Sequence, residues 1–135
     1  MSTKIIDIEG IGKVYAEKLQ AIGIHSVEKL LELGCTKAGR NKIAEESGIS
    51  DAHILRWVNM ADLFRIKGVG EEYSDLLEAA GVDTVKELRH RVPANLHQKM
   101  MEVNEAKKLV RALPALSQVE HWVEHAKTLE PMVTY

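Results

Sequence analysis

An all-α fold is predicted by three observations. Apolar residues recur at helical spacing in every convincing element. Helix-capping residues and C-cap glycines punctuate those runs, and no stretch alternates apolar and polar residues as a half-buried strand does. Composition agrees: 45% of the 135 residues are hydrophobic and only 4% aromatic, with Leu, Ile, Val, Ala, Glu and Lys dominant, the balance of a helical protein that has a core. The length fits one compact domain or two small, coupled halves.

The first helix is placed over 13–22, with Val14, Ala16, Leu19 and Ile22 near one face and Gly23 as its C-cap. Ser26 is the N-cap of a second helix carrying Val27, Leu30, Leu31 and Leu33. Thr36 caps a third that ends near "EESGIS". Ser50 or Asp51 caps a fourth, with Ile54, Leu55, Trp57, Val58, Ala61 and Leu63 as its apolar set.

The plan then starts again. "IEGIGKVYAEKLQAIGI" from Ile8 is matched by "IKGVGEEYSDLLEAAGV" from Ile66, with no gap through Gly10/Gly68, Gly12/Gly70, Tyr15/Tyr73, Leu19/Leu77, Gly23/Gly81, Val27/Val85 and Leu30/Leu88. Thr84 and Glu87 have the spacing of a capping box. Trp122-Val123-x-x-Ala126 repeats Trp57-Val58-x-x-Ala61 at a longer offset, so the second copy holds an insertion of about seven residues. Asn104 is placed as the cap of extra helical turns before Pro114, and Ser117 as the cap of the last helix. Two four-helix repeats follow, 1–65 and 66–135. No Gly, Ser or Pro linker separates them, so they are expected to pack as one compact body about a pseudo-twofold axis.

The net charge of −2 excludes a strongly basic nucleic-acid coat and leaves room for a local basic patch. Residues 1–65 carry nine Lys/Arg and nine Asp/Glu, whereas 66–135 carry nine and eleven, so the deficit lies in the second copy. A single cysteine, Cys35, excludes an intramolecular disulfide and suits a reducing compartment. Neither a secretory start nor a bilayer-spanning apolar run is present, so a cytoplasmic protein without membrane association is expected.

A Gly-x-Gly pair between helices is a physical device. Glycine reaches backbone angles barred to other residues and lets a partner approach the main chain closely. The amides that follow open a helix, where the dipole favours an anion such as a phosphate. Ile11 and Val69, between the glycines, are placed as anchors to the core.

On these residues the sequence resembles the helix-hairpin-helix superfamily. "IEGIGKVYAEKL" fits its pattern of apolar-x-Gly-apolar-Gly-x-x-x-Ala-x-x-Leu at Ile8, Gly10, Ile11, Gly12, Ala16 and Leu19. "IKGVGEEYSDLL" fits at Ile66, Gly68, Val69, Gly70 and Leu77, with Ser74 in the small position. "GIHSVEKLL" and "GVDTVKEL" are similar to segments of the N-terminal domains of RecA-like recombinases, a SAM-like arrangement. Over nearly the whole chain the sequence is similar to a bacterial family of tandem helix-hairpin-helix proteins of unknown function. The resemblance implies sequence-independent contact with duplex phosphates through hairpin amides, sometimes with a monovalent cation on hairpin carbonyls.

Carried over, the implied nucleic-acid-binding residues are Gly10, Ile11, Gly12 and Lys13, with Gly68, Val69 and Gly70 as equivalents in the second hairpin. Glu71 and Glu72 follow the second pair, where they repel a phosphate, so that hairpin is expected to be structural. "TKAGRNK" adds Lys37, Arg40 and Lys42 near a helix N-terminus, and "RHRV" and "EAKKLVR" offer Arg89, Arg91, Lys107, Lys108 and Arg111; both clusters suit solvated helix faces interleaved with Glu better than a phosphate site.

Other motifs fail on their chemistry. "GCTKAGRN" has the glycine spacing of a phosphate loop, but Arg40 and Asn41 replace the lysine and hydroxyl that loop needs, and a helix replaces its strand. "HWVEH" sets His121 and His125 one turn apart, without a third metal ligand. No catalytic constellation emerges, so a non-enzymatic module is expected, with neither metal nor organic cofactor. Two partners are open: duplex nucleic acid at the first hairpin, or another protein for which the repeats are a scaffold.

Overall fold

The computed structural model describes residues 3–135, and among these it contains eight α-helices and no strand. They are α1 (Lys13–Ala21), α2 (Val27–Gly34), α3 (Lys37–Ser47), α4 (Asp51–Leu63), α5 (Glu71–Ala79), α6 (Val85–Leu88), α7 (Pro93–Lys107) and α8 (Leu116–Thr128), with a 3-10 turn at Ile5–Asp7. The chain forms two compact units, Met1–Asp62 with Met132–Tyr135, and Leu63–Pro131. No helix among the described residues is long and apolar enough to cross a membrane.

In the first unit the residues before the glycine pair are short but pinned. Ile5 N donates to His25 O at 3.2 Å and Val27 N to Thr3 O at 2.9 Å, while Thr3 N donates to Glu28 Oε1 at 2.8 Å. Ile5 and Ile8 are buried with Ile11, Leu19, Ile24, Leu30, Ile54, Trp57 and Val58. Each such side chain contributes on the order of 1.5–3 kcal/mol by leaving water. Caps fall where expected: Ser26 Oγ accepts from Lys29 N at 3.1 Å and Thr36 Oγ1 from Gly39 N at 3.0 Å. Ser50 Oγ accepts from His53 N at 3.3 Å. Gly23, in the left-handed region at φ +89°, follows α1, and Ile24 N closes back on Leu19 O at 2.9 Å.

The second unit buries Leu63, Ile66, Val69, Leu76, Leu77, Val82, Val85 and Leu88 against Leu96, Met100, Val119, Trp122 and Val123 of α7 and α8. Three local expectations change here. Asn104 lies inside α7 instead of starting a helix, and its amide joins Val110, accepting from its N–H at 2.9 Å and donating to its carbonyl at 3.3 Å. One carboxamide satisfies both main-chain groups of a loop residue, an outcome that competes with capping. The last helix starts one residue before Ser117, at Leu116, and Gln118 Oε1 accepts from Ala115 N at 2.8 Å. Thr84 Oγ1 accepts from Glu87 N at 3.4 Å, while Glu87 reaches back to Asp83 N rather than to Thr84 N.

Candidate functional site

Both glycine turns have the same backbone. Gly10 and Gly68 sit in the left-handed region at φ +94° and +93°, which glycine adopts at no steric cost. Ile11 N bonds Ile8 O at 3.1 Å and Val69 N bonds Ile66 O at 3.0 Å, closing each turn. Ile11 and Val69 are buried and anchor it.

Gly12 and Gly70 are different. They are the N-caps of α1 and α5, with φ −81° and −119°, angles open to any residue. Nothing lies within 4 Å of where a Cβ would be at either position. No side chain caps either helix start, and the first amides of a helix have no carbonyl partner within it. At both turns the fold leaves an open amide edge at the positive end of a helix dipole.

Charge separates the two. Beside the first turn Lys13 is exposed, and Arg56 of α4 brings Nη1 to 3.0 Å from the Cβ position of Gly10. Trp57 Nε1 is 3.5 Å from the same position, buried and without a hydrogen-bond acceptor. Tyr15 packs edge-on to Trp57 at 5.1 Å between ring centroids and lies 5.5 Å from His53. Lys18 Nζ stands 5.9 Å from the Tyr15 ring centroid. The first turn therefore has the cationic side chains of Lys13, Lys18 and Arg56 around it, over a buried tryptophan.

At the second turn Trp122 Nε1 takes the matching place, 3.3 Å from the Cβ position of Gly68. Here Glu71 and Glu72 open the helix, and Glu72 Oε1 is 3.5 Å from Arg111 Nε, an exposed pair of small energetic weight. Lys67 N already donates to His125 Nδ1 at 3.2 Å.

The cluster from "TKAGRNK" does not converge. Lys37 and Lys42 are exposed on α3 but face different depressions, one lined by Asn41, Asp51 and Tyr135, the other by Ile22, Ile24 and Glu46. Five helical residues apart, they project about 140° from each other. Arg40 is 5% exposed, with Nη1 donating to Gly34 O at 2.9 Å and Nη2 to Thr134 O at 2.6 Å. Its guanidinium is an internal tie between main-chain carbonyls, which takes it out of the surface set expected to meet phosphate.

The glycines of "GCTKAGRN" serve helix contact. A Cβ on Gly34 would stand 2.6 Å from Val58 Cγ2, and one on Gly39 would overlap Leu33 O. Among the described residues no group of three or more His, Cys, Asp or Glu is placed to hold a metal ion. Arg56 was missed in the sequence because a lone arginine on an amphipathic helix carries no motif. Its one signal is position: it precedes the tryptophan that recurs as Trp122, where the second copy has His121.

A family model described as "Domain of unknown function (DUF4332)" matches residues 9–129. No curated protein and no solved structure gives a significant match.

Proposed function

We propose that this chain, which belongs to the DUF4332 family of domains of unknown function, is a non-enzymatic binding module of two helix-hairpin-helix units whose first hairpin contacts the backbone of duplex nucleic acid. The observation that carries the reading is Gly12. Neither its backbone angles nor its surroundings demand glycine, and Ser or Asp makes a better N-cap. A glycine there is accounted for by a group that approaches the amide edge from outside. Gly70 shares that openness, so the open glycine alone does not separate the turns; exposed Lys13 beside Gly12, against Glu71 and Glu72 after Gly70, is what assigns binding to the first hairpin only.

In the mechanism, the leading amides of α1 bond phosphate oxygens while Lys13 and Arg56 neutralise their charge. Gly10 and Ile11 hold the turn; Lys37 and Lys42 add only longer-range attraction. Contacts of this kind position the module without reading bases. Exposed Lys13 and the Arg56 guanidinium near Gly10 make this turn suit an anion rather than a monovalent cation. Anisotropy of a labelled duplex, titrated at low and at physiological salt, tests the reading. Saturable binding is expected, with a log–log salt slope of about −2 to −3 for two or three neutralised phosphates. Gly12→Asp removes the binding and Gly70→Asp leaves it nearly unchanged; equal losses, or no binding at low salt, overturn the assignment.

A protein-adaptor role is the second reading. It is favoured by the net charge of −2 and by an open groove of about 300 Å³ in the first unit, lined by Ile22, Ile24, Leu33 and Ile43 among others.

A further inference from the structure

Besides Arg56, α4 brings a second side chain to the first glycine turn. His53 precedes Trp57 by one helical turn and Arg56 by three residues, so the three lie along one side of α4. Its ring stacks on Trp57, with centroids 5.6 Å apart and 22° between the planes, and its centroid is 5.5 Å from that of Tyr15. Tyr15 is the third residue of α1. Ala16 N bonds Gly12 O at 2.9 Å, so Lys13, Val14 and Tyr15 supply the leading amides that have no carbonyl within the helix. An imidazole therefore stands beside the amide edge, resting on a buried indole, with the Arg56 guanidinium nearby at Gly10.

The ring is held so that its charge can change without rearrangement. Ser50 Oγ lies 2.8 Å from His53 Nδ1 and accepts from His53 N at 3.3 Å. A hydroxyl rotates to suit its partners: it donates to Nδ1 of the neutral ring and accepts from Nδ1–H of the charged one. Nε2 carries a proton in both states, and His53 is exposed, so a donor is kept for a ligand throughout. Only the charge changes, and histidine is the side chain that titrates between about pH 5 and pH 8. Tyr15 is the titratable group that faces the ring from α1. Lys18 stands over Tyr15, whereas Asp51 lines the depression it shares with Lys37. A phosphate seated among these cations is an opposite charge that favours the protonated ring.

The second unit lacks this arrangement. At the spacing that relates Trp57 to Trp122, Gln118 stands in place of His53 and Ala115 in place of Ser50. Gln118 Oε1 is turned back to Ala115 N at 2.8 Å. A pair that only capped its helix is satisfied by an amide there, and no titratable group results.

We infer that His53 is a further phosphate contact of the first hairpin, one that adds its positive charge on protonation and makes nucleic-acid binding tighter in acid. This rests on the backbone-binding reading of that hairpin. It adds one residue to the site and a regulation by pH that Lys13 and Arg56, charged throughout this range, do not supply.

Anisotropy of a labelled duplex, titrated at about pH 8 and about pH 5.5 with ionic strength held constant, tests it. The wild-type chain should bind about three- to fivefold more tightly at the lower pH, the size of an exposed ion pair. Its log–log salt slope should steepen there by up to about one phosphate contact. His53→Gln keeps a side-chain donor without the charge, so it should match wild type at about pH 8 and lose most of the acid response. His53→Arg fixes the charge and should bind at about pH 8 as tightly as wild type does at about pH 5.5, a gain that a merely structural histidine would not give. An acid response of equal size in wild type and His53→Gln, or no gain in His53→Arg, overturns the inference and leaves the hairpin reading standing. Absence of binding at either pH overturns both.

Discussion

Gly12→Ser separates a glycine kept for the fold from one kept for a ligand. The wild-type backbone at this N-cap, φ −81° and ψ −176°, is already the extended conformation a serine cap uses. No atom lies within 4 Å of the new Cβ, so the substitution costs no packing. Serine gains a few tenths of a kcal/mol over glycine as a cap, and the unfolded chain loses freedom worth about 0.4–1 kcal/mol. Together these stabilise by about 1 kcal/mol, or roughly 4 °C in Tm for a chain of this size. Duplex binding should move the other way. The hydroxyl occupies a free amide and the Cβ covers the approach, so a loss of at least about tenfold, or 1.4 kcal/mol, is expected. Calorimetry and anisotropy on one preparation read both quantities. A fall in Tm would show that the fold needs this glycine; a rise in Tm with unchanged affinity would mean that no phosphate reaches the edge. Gly70→Ser is the control, with the same gain in stability and no loss of binding.

Gly10→Ala should destabilise by at least about 1–2 kcal/mol in urea melts, because alanine is strained at φ +94°; Gly68→Ala should cost a similar amount. Gly34→Ala puts a methyl 2.6 Å from Val58 Cγ2 and should cost about 1–3 kcal/mol, partly restored by adding Val58→Ala. Burial, helped by Glu87 and Glu78 and opposed by Arg91, holds the Asp83 carboxyl above its ordinary value of 3.8. The folded state thus binds this proton more tightly than the unfolded chain, so the carboxylate destabilises the fold above the raised pKa and the cost fades as pH falls through it. Asp83→Asn should therefore raise Tm at neutral pH, with the gain shrinking toward about pH 4; a gain independent of pH would refute the assignment.

Most of the helical plan was legible because its signals are local. Ser26, Thr36 and Ser50 cap helices through side chains only three residues from the amides they bond, and Gly23 and Gly81 follow α1 and α5 at positive φ. Asn104 misled for the same reason. An Asn satisfies a helix start and a loop residue equally well, and the loop that decided between them lies six residues on.

The candidate site was legible only in part. Gly10 and Gly12 form one spaced motif, yet they serve different physics: backbone conformation at Gly10, an open edge at Gly12. The charges were harder still. Arg56 reaches the first turn from α4, far along the chain from Gly10, and Arg40 was drawn inside by carbonyls of Gly34 and Thr134.

The sequence by itself determined the helices, the repeat and the anchoring of each glycine turn, because periodicity, capping and positive φ are properties of neighbours in the chain. Only the tertiary structure decided which cations stand at the first turn and which are buried, and that residues 132–135 seat on the first unit. Those outcomes depend on which long side chain meets which main-chain oxygen across tens of residues, and charge alone leaves that pairing open.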